Sequence, residues 1–147
     1  MRGYFGIGIY QPKNKENIGT LWRSAFIFGA SFIFTIGHRY KKQCSDTVKA
    51  YRHIPLWTFD TYAEFKDKVP YTSRIICIEN SENADNLSNF VHPHQCVYLL
   101  GSEDHGLPEP ILSGNQTIII PSKREFCLNV STSGSIVMFD RLNKEQR

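Results

Sequence analysis

The sequence predicts a single α/β domain, residues 1–147, built on a mostly parallel sheet with helices on both faces. Three observations carry that expectation. Short apolar runs bounded by turn residues recur at YFGIGIY (4–10), RIICIEN (74–80), QCVYLLG (95–101) and QTIIIP (116–121), as strands covered on both faces should read. Helical patterns alternate with them, which is the order of a parallel sheet. A length of 147 residues also suits one core better than two.

The elements follow in order. YFGIGIY is β-branched and aromatic, and QPKNKE after it is turn chemistry. A helix is expected next, capped by Asn17, with Ile18, Leu21, Trp22 and Ala25 at i, i+3, i+4 and i+7 on one face and Gly29 at its C-terminal cap. SFIFTIG (31–37) reads as a buried strand, CSDTVKAYRHI as a loop or short helix, and LWTF as a short strand. DTYAEFKDKV reads as a helix capped by Asp60 and ended by Pro70. From about Leu128 to Asn143 the pattern is a closing helix with Ile136, Val137 and Phe139 turned inward.

About 41% of residues are apolar and 21% charged, the balance of a globular chain. No apolar run reaches membrane-span length, and MRGYFGIGIYQP lacks a full signal region, so the expected location is the cytoplasm. Cys44, Cys77, Cys96 and Cys127 are scattered without a C-x-x-C pair and are expected as reduced thiols. Charge is lopsided. Residues 1–52 hold Arg2, Lys13, Lys15, Arg23, Arg39, Lys41, Lys42, Lys49 and Arg52 against Glu16 and Asp46, a net +7, while the rest carries −4. That asymmetry predicts an anionic partner, with nucleic-acid phosphates the candidate and a merely solvated basic face the alternative.

In parallel α/β sheets ligands sit outside the carboxyl ends of the strands. Three loops qualify: ENSEN after Ile78, GSEDHG after Leu100, and PSKREFCLN after Ile120. The motif GIGIYQ lacks the third glycine of a dinucleotide fingerprint and places its glycines within the strand. In HPHQC, His92, His94 and Cys96 alternate and could face one side as metal ligands, but a solvated loop followed by a buried cysteine is the simpler reading. Glu103, Asp104 and His105 are either an acid/base cluster or a polar loop at a strand end.

Taken together, NIGTLWRSAFIFGAS (17–31), VYLLGSEDHGLP (97–108) and IIIPSKREFCLNVSTSGSIVMFD (118–140) resemble the three successive motifs of the SpoU/TrmH-type RNA ribose methyltransferases of the SPOUT superfamily. The resemblance implies a C-terminal trefoil knot, a homodimer, and S-adenosylmethionine bound through Leu100, Gly101, Ile120 and Leu128, with Ser131 a supporting member of the third motif. It places Asn17, Arg23, Glu103 and Asn129 in the catalytic site. Cys127 departs from the family's usual serine. The implied function is RNA ribose 2'-O-methylation, of tRNA ahead of rRNA, without a metal. The alternatives are a non-catalytic RNA-binding module on the same scaffold and a metal-dependent hydrolase using His92, His94 or the Glu103 cluster.

Overall fold

The computed structural model describes residues 3–37 and 52–145. The expected segment CSDTVKAYRHI therefore lies largely outside the described residues, as do Arg2, Arg39, Lys41, Lys42, Lys49 and Cys44 of the basic third. Seven strands are described: β1 (Tyr4–Tyr10), β2 (Phe32–Ile36), β3 (Leu56–Phe59), β4 (Arg74–Ile78), β5 (Asp85–Asn86), β6 (Gln95–Leu100) and β7 (Gln116–Ile119). They form one sheet in the order β3-β2-β1-β6-β4-β7-β5, and every pairing is parallel.

Helices cover both faces, as the unbroken apolar character of the strands requires. On one face α1 (Lys15–Phe28) and α4 (Val130–Glu145) pack over Ile7, Ile9, Ile76, Tyr98 and Ile118. On the other, Phe65 of α2 (Tyr62–Lys68) and Ile111 of α3 (Glu109–Ser113) meet Phe34, Cys77, Val97 and Leu99. The predicted α1 stripe of Ile18, Leu21, Trp22 and Ala25 is buried throughout. Gly134 lets α4 approach α1, since a Cβ there would lie 2.6 Å from Leu21 Cδ1. The glycines of GIGIYQ serve packing too: a Cβ on Gly6 would fall 2.3 Å from the Phe32 ring, and one on Gly8 2.3 Å from the Phe34 carbonyl.

Several boundaries differ from the sequence expectation. Asn14, not Asn17, caps α1, its side chain accepting from the Glu16 N–H at 2.9 Å. Thr61, not Asp60, caps α2, accepting from Glu64 N–H at 3.1 Å. Phe139 is 56% exposed, because α4 buries Val137 and Met138 against the sheet and turns Phe139 outward beside Phe28. The two-residue β5 and the five-residue α3 were not anticipated. Both are too short to show a period.

HPHQC resolves into structure. His92 Nδ1 lies 2.6 Å from the Tyr98 hydroxyl and Nε2 2.7 Å from Asp140, while His94 is exposed and Cys96 buried, so the three do not share a side. Arg141, buried on α4, donates to the Pro93 and His94 carbonyls and the Tyr98 hydroxyl, and Lys144 to the Leu87 and Phe90 carbonyls. This network ties the end of α4 to the chain entering β6. Among the described residues no group of three or more His, Cys, Asp or Glu is placed to hold a metal ion.

Candidate active site

The three expected loops converge. Ile78 and Glu79 at the end of β4, residues 100–106 after β6, and Ile119, Ile120, Ser122 and 126–130 after β7 line one cleft of about 560 Å³. That volume is in the range of small-molecule sites. Its apolar walls include Leu100, Ile120 and Leu128, with Gly101 and Glu103 between them.

Loop geometry accounts for Gly101. A Cβ there would lie 2.5 Å from the Gly106 carbonyl carbon, because Ser102 and Gly106 bridge back on one another and Gly106 N–H bonds Ser102 O at 3.1 Å. Gly106 itself has φ +64°, a left-handed conformation that favours glycine. The break after β6 therefore closes a tight polar loop, and its glycine is required first by the chain itself. Glu79 fastens that loop to the neighbouring strand end, accepting from Leu107 N–H at 2.8 Å, while its own N–H donates to Ile118 O at 3.1 Å.

At the rim, a relay of side-chain amides joins the three segments. Asn17 Nδ2 donates to Glu103 Oε1 at 2.9 Å, and Asn129 Nδ2 donates to Asn17 Oδ1 at 3.0 Å. Asn129 Oδ1 then accepts from Ser131 N–H at 2.9 Å, Ser131 Oγ at 2.6 Å and Thr132 N–H at 3.2 Å. The direction is forced by chemistry. An ionised carboxylate only accepts, so Asn17 must turn its NH₂ toward Glu103 and its oxygen toward Asn129, whose own oxygen is left for the start of α4. Because Asn14 already caps α1, the Asn17 side chain is released for this role.

Glu103 also accepts from the Lys13 N–H at 2.9 Å and the Asn14 N–H at 3.4 Å. Burial alone would raise its pKa, but the Asn17 bond and these backbone bonds outweigh it and hold the carboxyl below its ordinary value. Glu103 is thus a carboxylate at neutral pH, suited to holding donors and poorly suited to giving a proton. Asp104 pairs instead with Lys13 Nζ at 2.6 Å on the surface.

Of the residues singled out from sequence, Asn17, Glu103, Asn129 and Ser131 are brought together by hydrogen bonds, and Leu100, Gly101, Ile120 and Leu128 line the adjoining cleft. Arg23 is exposed on α1, six residues from Asn17 and so about 120° around the helix from it, and it does not line the cleft. Glu79 was missed. Its only sequence signal is a carboxylate at the end of an apolar strand.

The fold and the cleft define a class, and comparison with known proteins agrees with it. Residues 5–139 match the model of the SpoU rRNA methylase family. The chain belongs to that family. A structure described as giving insight into the 2-OH methylation of a C or U at tRNA position 34 aligns with TM-score 0.85 at 21% identity, covering 98% of this chain and 97% of that one. An AdoMet-bound rRNA methyltransferase from Sinorhizobium meliloti aligns at 0.84 and 20%, covering 98% of this chain and 57% of that one. The TrmH/SpoU tRNA-modifying enzyme of A. aeolicus aligns at 0.83 and 18%, covering 99% and 77%. A search of curated protein sequences found no significant match.

Proposed function

We propose that this chain transfers a methyl group from S-adenosylmethionine to a ribose 2'-hydroxyl of RNA, with tRNA the favoured substrate. The observation that carries the reading is the Glu103–Asn17–Asn129 relay, which locks three distant segments around one cleft. The donor set fits the cofactor: Leu100, Ile120 and Leu128 offer apolar walls to a purine, while Glu79 and Glu103 place carboxylates near a cationic ligand. When bound, S-adenosylmethionine supplies a methyl group already activated by its sulfonium charge.

The protein's task is then alignment and exclusion of water. Leu100, Gly101, Ile120 and Leu128 shape the cofactor cleft, and Ser131 steadies Asn129. Asn17, Glu103 and Asn129 hold the rim in one arrangement against which the ribose is placed. Arg23 completes the site by gripping a phosphate beside the reacting ribose and lowering the cost of a developing alkoxide. A guanidinium keeps its proton at any working pH, so Arg23 is not the base.

A homodimer is part of this reading. The exposed Ile27 of α1 and Phe139 of α4 offer an apolar face for that contact. A trefoil knot belongs to the same reading, supported by the seating of β7 between β4 and β5. The tRNA preference is supported by the likeness to the structure described for tRNA methylation and to the tRNA-modifying enzyme of A. aeolicus. The test is labelled methyl transfer to tRNA and rRNA transcripts under equal conditions. Transfer to rRNA alone would reverse the preference, and substantial activity of Arg23→Lys with a pH profile moved toward lysine titration would overturn the assigned role of Arg23.

A further inference from the structure

Among the described residues, three large apolar side chains are more than four-fifths exposed: Tyr71, Val91 and Phe126, the last at 87%. Tyr71 precedes β4 and Val91 precedes β6, so both lie at the amino ends of the strands, away from the cleft. Phe126 lies at the carboxyl ends. It lines the cleft together with Leu128 and Asn129, three residues from the relay. A phenyl ring left in water there forgoes the gain that burial would bring.

The loop around Phe126 carries its own charge. Lys123 and Arg124 are exposed beside it, with Glu125 the one acid of the segment, and the Arg124 guanidinium donates to the Lys123 carbonyl at 3.2 Å. Across the rim, Lys15 is also exposed at the start of α1. An aromatic face flanked by cations at the mouth of a cleft is the arrangement that receives an unpaired nucleotide: the ring stacks on the base and the cations meet the phosphates.

We propose that Phe126 is the base-stacking platform for the substrate RNA, with Lys123 and Arg124 contacting its backbone. The inference rests on the methyltransferase reading above and deepens it. Every base has a stacking face, so Phe126 selects for a nucleotide that is unstacked from its neighbours and leaves base identity to other groups. The substrate is therefore a loop nucleotide, since one inside a helix has no free face to offer. The cations favour RNA over a second copy of this chain as the occupant.

The test compares wild type, Phe126→Ala and Phe126→Trp by titration with a tRNA transcript, by calorimetric titration with S-adenosylmethionine, and by sedimentation. Phe126→Ala should weaken RNA binding roughly tenfold, well beyond any change in cofactor affinity, with the oligomeric state retained. Phe126→Trp should restore RNA binding and show indole quenching beyond that of the wild-type protein, whose Trp22 and Trp57 set the background. Unchanged RNA affinity in Phe126→Ala overturns the inference, as does a parallel loss of cofactor affinity or a changed oligomeric state. Wild-type protein that binds the cofactor and RNA normally confines such a failure to Phe126. Wild-type protein that binds neither removes the methyltransferase reading, and this inference with it.

Discussion

Asn17 and Glu103, on α1 and on the loop after β6, are joined by a 2.9 Å hydrogen bond whose direction is fixed by the carboxylate's inability to donate. Everything on that rim is oriented from this bond. Its consequence is that the amides of Asn17 and Asn129 cannot flip independently.

Glu103→Gln sharpens the point. Three donors, from Lys13, Asn14 and Asn17, converge on two carboxylate oxygens, and an amide NH₂ can accept none of them. Whichever donor faces that NH₂ loses its acceptor. Expected are a lowered Tm and methyl transfer reduced at least tenfold. Wild-type activity in Glu103→Gln would show that the carboxylate is dispensable.

Asn129→Asp and Asn129→Ala should separate capping from orientation. Aspartate still accepts from the Ser131 and Thr132 N–H groups, so α4 keeps its start, whereas alanine loses a cap worth roughly 1 kcal/mol. Aspartate also turns an oxygen toward Asn17, which forces that amide around and sets its oxygen against Glu103. Asn129→Asp should therefore keep more thermal stability than Asn129→Ala while losing activity as severely. Equal activity of Asn129→Asp and wild type would contradict the relay.

Much of this was legible in the chain. The α1 stripe, six of the seven described strands to within a few residues, the three cleft loops and the residues of the relay follow from periodicity, turn chemistry and the three motifs. What stayed hidden has physical reasons. Whether Asn14 or Asn17 caps α1 cannot be decided locally, because both are good caps and the choice is made by Glu103, 86 residues away. The inward turn expected of Phe139 failed because α4 meets the sheet through Val137 and Met138, and an apolar side chain on the far side of a helix gives no sequence sign of being left outside. The burial of Arg141 depends on carbonyls of Pro93 and His94, which no pattern announces.

His92 predicts a pH dependence of stability. Burial lowers its pKa most, with Lys144 and Arg141 acting in the same direction and the Asp140 bond opposing them. Neutral His92 donates from Nε2 to Asp140 and accepts the Tyr98 hydroxyl at Nδ1. Since its folded pKa lies below the ordinary 6.5, the unfolded chain binds the proton first as pH falls, so this stabilisation is present above pH 6.5 and declines below it. Tm should drop from pH 7.5 to pH 5.5, and that part of the slope should vanish in His92→Asn. An identical slope in the variant would assign the dependence elsewhere.

Gly101→Ala should damage the cleft while leaving the sheet formed. The added Cβ meets backbone at 2.5 Å, and backbone cannot swing aside as a side chain could. Expected is loss of S-adenosylmethionine binding by calorimetry with the far-ultraviolet circular dichroism retained.

Cys127→Ser exchanges an exposed thiol in the cleft lining for a smaller hydroxyl, and activity should persist. Complete loss would give the thiol a role of its own.

The cleft framed by the relay is the proposed seat of ribose methylation. The most direct test is incubation of unmodified tRNA with protein and methyl-labelled S-adenosylmethionine, followed by digestion to nucleosides and mass analysis. Wild-type protein should place label on a ribose 2'-oxygen, and Asn17→Ala should abolish it. Label on a base, or undiminished ribose label with Asn17→Ala, would contradict that assignment.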